Sequence, residues 1–116
     1  MIARQGLKPS QPKLNNSEFL HAFMREVFSD LDFEVQYVEQ YADCCVGTAR
    51  YERSTLVSWD FLLGRDMNLV ISPSINAMKL CEPNMLHINL YEPGSLERVH
   101  QIFAGYQDDR LQYMVL

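Results

Sequence analysis

The residues best able to bind a metal ion or to act in catalysis are three histidines and three cysteines. They are His21, Cys44, Cys45, Cys81, His87 and His100. Zinc sites commonly contain two such ligands close together, as His-x-x-x-His or Cys-x-x-Cys, and neither spacing occurs in this sequence. The Gly-x-Ser-x-Gly motif of serine hydrolases and a glycine-rich phosphate loop are also missing. The sequence therefore predicts no metal site and no cofactor.

One enzymatic arrangement remains open as an alternative. Cys45 and His87 lie in two different predicted strands, and a sheet that placed those strands side by side would bring the thiol near the imidazole. The two side chains would then act as nucleophile and base. The protein would be a small enzyme with a pocket between its sheet and its helices.

Carboxylates are concentrated in one segment of the chain. Between Glu26 and Asp43 there are six acidic residues and no lysine or arginine, and the whole chain has a net charge of −5. These acids fall at predicted turns or on polar faces, where both members of a carboxylate pair stay ionised. An acidic surface steers a basic protein toward it. The same charge disfavours nucleic acids and anionic membranes as partners.

Two tyrosines, Tyr37 and Tyr41, lie inside this acidic segment. Tyrosine is enriched among the residues that dominate binding energy at protein interfaces. Carboxylates around such rings add specificity and a faster association. We therefore expect a binding surface for a basic protein, formed by seven residues of this segment. They are Asp30, Asp32, Glu34, Tyr37, Glu39, Tyr41 and Asp43.

A small acidic domain without a catalytic motif is similar in general profile to bacterial immunity proteins, the cytoplasmic inhibitors of toxin domains. The resemblance rests on size and charge. It implies an inhibitor that neutralises a basic toxin or enzyme by blocking its active site. Type III secretion chaperones are also small and acidic, which leaves a homo-oligomeric chaperone-like or structural subunit as an alternative.

The cellular compartment is predicted from the cysteines and the N-terminus. An odd number of cysteines, two of them adjacent, favours a reducing compartment over a disulfide framework. Residues 1–16 lack the apolar stretch of a secretory signal. We therefore expect a cytoplasmic protein.

Hydrophobic periodicity predicts the elements that must position these residues. Apolar residues at helical spacing predict a helix over 18–30, with Ser17 as its N-cap, and a second helix over 96–106 after Ser95. A short helix is expected after Pro73. Alternating or apolar runs predict strands over 33–37, 44–51, 55–63, 67–72, 85–91 and 111–116. In the first of these strands, strict alternation would turn Tyr37 toward the core. In the second, Gly47 is a candidate for a β-bulge.

Short turns between consecutive strands predict an antiparallel meander. The predicted fold is α+β, with one domain over 17–116, a sheet of about five to six antiparallel strands and two main helices packed on one face. Residues 1–16 contain Pro9 and Pro12 and are predicted to be a flexible N-terminal tail. The apolar strand 111–116 is available to pair with a second copy, which predicts a possible homodimer.

Overall fold

The computed structural model describes residues 16–54, 56–78 and 85–111. They form one five-stranded antiparallel sheet whose strand order is the order in the chain. The strands are β1 (Phe33–Gln40), β2 (Cys44–Tyr51), β3 (Ser58–Gly64), β4 (Asn68–Pro73) and β5 (Leu86–Asn89). The helices are α1 (Asn16–Val27), α2 (Ile75–Met78) and α3 (Ser95–Asp109). The predicted α+β class and antiparallel meander are confirmed.

The first helix packs on the sheet through a stripe of residues at helical spacing. Five of its side chains are buried: Phe19, Leu20, Phe23, Met24 and Val27. It begins at Asn16, so Ser17 lies inside its first turn and the prediction of Ser17 as N-cap was wrong. After Val27 the chain leaves the helix through a turn in which the Leu31 N–H donates to the Phe28 carbonyl at 3.2 Å.

The last helix is longer than its hydrophobic stripe predicted. Its N-cap is Gly94, at φ 82°, a left-handed conformation that glycine adopts without strain. Ser95 was predicted as the cap and is instead the first helical residue. Gly105 was expected to close the helix together with the polar run Gln107-Asp108-Asp109; Gly105 lies inside the helix, which ends at the last residue of that run, Asp109.

A cluster of aromatic rings joins α3 to the sheet and to the end of α1. The Phe103 ring lies 5.1–5.8 Å, between centroids, from the rings of Phe28, Phe33, Trp59 and Phe61. All five are among the buried residues of a single core. Both long helices therefore cover the same face of the sheet, as predicted, and the other face is left open among the described residues.

Some predictions concern residues outside the described ones. These include most of the predicted tail, since residues 1–15 are not described and Asn16 already belongs to α1. They also include Cys81 and residues 112–116, and with them the proposed dimer strand; Leu111 is buried just after α3.

The predicted short helix is α2, and the Ser74 hydroxyl accepts the Ala77 N–H at 3.3 Å as its cap. None of the described helices is long and apolar enough to cross a membrane.

Candidate functional site

The strand at the centre of the predicted binding surface, β1, is an edge of the described sheet. It pairs with β2 on one side, and the described residues contribute no strand on the other. The register shifts between Val35 and Tyr37, so Gln36 forms a β-bulge. The extra residue reverses the alternation along β1. The bulge predicted at Gly47 was therefore in the wrong strand.

The bulge decides which side chains of β1 face the open side of the sheet. Val38 packs against the core, and Tyr37 is 50% exposed on the opposite face. Strict alternation along β1 would have turned Tyr37 toward the core, and Tyr37 faces the other way because a period of two does not survive an inserted residue. Glu34 and Glu39 are exposed as well.

Three of the seven predicted binding residues form an ion pair with an arginine that is distant in sequence, and a fourth, Asp30, is hydrogen-bonded to His100. The pairs are Asp30 with His100 at 2.8 Å, Asp32 with Arg53 at 3.5 Å, Glu34 with Arg50 at 2.8 Å and Asp43 with Arg65 at 2.6 Å. Exposed pairs of this kind contribute little to stability. They do offset charge, so three arginines reduce the negative field that the acidic segment has by itself.

The other three predicted residues form a cluster at the hairpin end of β1, which we call the Tyr-Glu-Tyr cluster: Tyr37, Glu39 and Tyr41. The Tyr41 hydroxyl donates to Glu39 Oε2 at 2.8 Å. Both tyrosines are about half exposed, at 50% and 53%. The hydrogen bond to Glu39 and the negative charge of its carboxylate raise the pKa of Tyr41.

The Tyr-Glu-Tyr cluster has the chemistry of a site for a cationic side chain. Among the described residues, no lysine, arginine or histidine pairs with Glu39. A lysine or arginine that approached it would gain a charge-assisted hydrogen bond from the carboxylate. The tyrosine rings beside it would add cation–π attraction.

An apolar row adjoins this cluster on the open face. The strand registers place Val46 opposite Glu39, Leu62 opposite Val46 and Val70 opposite Leu62. Leu62 is 41% exposed. Apolar side chains beside tyrosines and a charged rim match the composition of protein interfaces.

Sequence reasoning did not include this row or the three paired arginines in the surface. Pairing continued from the hairpin, where Gln40 is opposite Cys45, would place Glu34 opposite Tyr51, and the bulge at Gln36 shifts the register so that Arg50 lies opposite Glu34. Leu62 could have been found from the period of two along β3, which places it with Asp60 on the face opposite Phe61 and Leu63.

The alternative catalytic pair, Cys45 and His87, is not assembled. Cys45 is aligned through Leu63 and Leu69 with Ile88, all on the helix-covered face, so the neighbouring His87 projects from the open face. The Cys45 thiol donates to the Asn16 carbonyl at 3.3 Å. Burial raises the pKa of Cys45 to about 11, which keeps the thiol protonated and unreactive.

Within residues 16–54, 56–78 and 85–111, no group of three His, Cys, Asp or Glu side chains is arranged to hold a metal ion. Comparisons with protein-family models, with curated proteins and with solved structures found no match.

Proposed function

We propose that the chain is a protein-binding module that inhibits a basic toxin or enzyme by covering its active site, in the manner of an immunity protein. The observation that carries the proposal is the Tyr-Glu-Tyr cluster. It holds a carboxylate without a cationic partner among the described residues, and two half-exposed tyrosines flank it on an open sheet face.

Binding would use the cluster and its surroundings in different ways. A lysine or arginine of the partner donates to Glu39 and lies against the rings of Tyr37 and Tyr41. The row that contains Leu62 buries apolar surface beside this contact. Active sites that act on phosphates are lined by basic residues, and the carboxylates of this edge replace the phosphate charge.

The ion pairs on either side of the cluster form a rim in which a basic side chain of the partner can replace the arginine of the pair. Glu34 and Asp43 are exposed and held by single arginines, at 2.8 Å and 2.6 Å. Rim charges of this type change the association rate more than the final affinity. We place the interaction in the cytoplasm, because the odd cysteine count favours a reducing compartment.

Affinity capture with matched variants tests the proposal. The wild-type chain is compared with the double variant Tyr37→Ala/Glu39→Gln and with the control Glu52→Gln, an exposed acid in the turn after β2. Circular dichroism melts first establish that all three chains are folded. We expect the wild type and the control to retain one basic protein in equimolar amount, and the double variant to lose it.

The captured protein is then assayed with and without the chain. Its activity should fall in proportion to the wild-type chain added and should be unaffected by the double variant. Capture of an acidic protein, equal capture by the double variant, or a captured enzyme that stays fully active would each contradict the proposal.

A further inference from the structure

A cleft lies between α1 and β1, on the helix-covered side of the sheet. Its volume is about 480 Å³, within the range of pockets that hold small ligands. The lining side chains are His21, Arg25, Phe28, Ser29, Phe33 and Val35. The Tyr-Glu-Tyr cluster projects from the opposite face of β1, so the two sites are separate.

One wall of the cleft is apolar. The rings of Phe28 and Phe33 stack at 5.0 Å between centroids, with an angle of 30° between their planes. Val35 is partly buried and extends this wall along β1. Phe28 and Phe33 are each only 5% exposed, so their rings reach the cleft through their edges, and Val35 contributes the more accessible part of the wall.

The other wall carries a guanidinium and an imidazole, although the chain as a whole is acidic. His21 and Arg25 are four residues apart on α1, so they lie on the same side of the helix. Both are exposed, and no ion pair joins either of them to another residue in the described part of the chain. In this they differ from Arg50 and Arg65, whose charges are each met by a carboxylate.

We infer that the cleft binds a carboxylate attached to an apolar body. The guanidinium of Arg25 is suited to a carboxylate because it donates two parallel hydrogen bonds, and His21 supplies a further donor one turn away. The apolar body lies against Val35 and the exposed edges of the Phe28 and Phe33 rings. A free aromatic or branched aliphatic acid has this chemistry, and so does the C-terminal residue of a peptide.

A purely structural account of Arg25 exists and makes different predictions. Arg25 lies in the last turn of α1, where a cation stabilises the negative end of the helix dipole without any ligand. That account does not involve His21 or the stacked rings. It predicts that Arg25→Gln lowers the melting temperature slightly and that no acid binds.

Titration of the isotope-labelled full chain with 3-phenylpropionate, followed by amide NMR, separates the two accounts. We expect saturable shifts at Arg25, Ser29 and Val35. Arg25→Gln should weaken binding about tenfold or more, the loss for a hydrogen bond to a charged group. The control is Arg98→Gln, an exposed arginine of α3 outside the cleft lining, and it should bind as the wild type does.

Two further ligands complete the test. The neutral analogue 3-phenylpropanol should bind about tenfold more weakly than the acid, because it lacks the charge that Arg25 recognises. The affinity of a short peptide ending in phenylalanine is compared with that of its C-terminal amide, which lacks the carboxylate. Tighter binding of the free-ended peptide than of 3-phenylpropionate identifies a peptide C-terminus as the natural source, and equal or weaker binding identifies a free acid.

Several outcomes would overturn the inference. They are the absence of saturable shifts with both the acid and the peptide, equal affinity for acid and alcohol, and unchanged binding by Arg25→Gln. None of these results bears on the Tyr-Glu-Tyr cluster, so the proposed function stands or fails by its own experiment.

Discussion

The substitution Gly47→Ala tests the close approach of α1 to the sheet. Gly47 is buried in β2, and a Cβ atom added there would lie 2.6 Å from Met24 Sδ and 3.2 Å from Val38 Cγ2. Ordinary contacts between such atoms are about 3.5–4.0 Å, so the sulfur must move by roughly 1 Å. Met24 is fully buried, and its displacement disturbs neighbours that are already close-packed.

The expected magnitude is the difference between two opposing effects. Overpacking of this kind costs about 1–3 kcal/mol. Replacing glycine restricts the unfolded chain and returns about 0.4–1 kcal/mol. Gly47→Ala should therefore lower the free energy of unfolding by up to about 2.6 kcal/mol, a fall in Tm of up to roughly 10 °C for a domain of this size.

A double-mutant cycle with Met24→Ala shows whether the cost arises at this contact. Met24→Ala alone should destabilise by about 2–5 kcal/mol, because it leaves a cavity. In that background the methyl group at position 47 enters empty space, so Gly47→Ala should cost little and the coupling should reach about 0.5–3 kcal/mol. Urea unfolding measures all four chains. A stabilising Gly47→Ala, or a cost that Met24→Ala leaves unchanged, would refute the reasoning.

Three further outcomes are expected. Phe23→Ala should lower the free energy of unfolding by about 3–5 kcal/mol, since the ring is buried. If urea unfolding gives a decrease of less than about 1 kcal/mol, the Phe23 ring does not lie in the core. Glu39→Ala should lower the pKa of Tyr41 toward its ordinary value, seen by NMR of labelled tyrosine rings, and an unchanged pKa would show that Glu39 does not cause the shift. The reversal Asp32→Lys/Glu34→Lys should cost about 1–2 kcal/mol, because each acid faces an arginine; equal melting losses at low and high salt would exclude charge as the cause.

The sequence predicted the elements because each has a strong local signal. The stripe of α1 repeats at helical spacing, and β2 was predicted with its observed bounds, Cys44–Tyr51. Consecutive strands with short turns leave few ways to pair, so the meander followed from connectivity. These features depend on neighbours along the chain, which the sequence shows directly.

The bulge and the cap of α3 could not be predicted in the same way. Gln36 has no property that distinguishes a bulged residue from a paired one, and the extra residue becomes visible only when β1 is aligned with β2. Gly94 and Ser95 are both acceptable N-caps. The choice between them depends on the path of the preceding turn, which brings Gly94 to φ 82°.

The acidic segment shows why charge counted along a chain differs from charge on a surface. The arginines that offset it come from β2 and from turns, and each lies more than fifteen residues from its carboxylate. Antiparallel pairing brings them together, as at Glu34 and Arg50, which are opposite one another in the register. Because attraction between exposed charges is screened over about 8–10 Å, a partner responds to the local sum after pairing. After pairing, Glu39 is the carboxylate of β1 that has no cationic partner among the described residues. The surface on which we expect a partner to bind is therefore the Tyr-Glu-Tyr cluster and not the whole acidic segment.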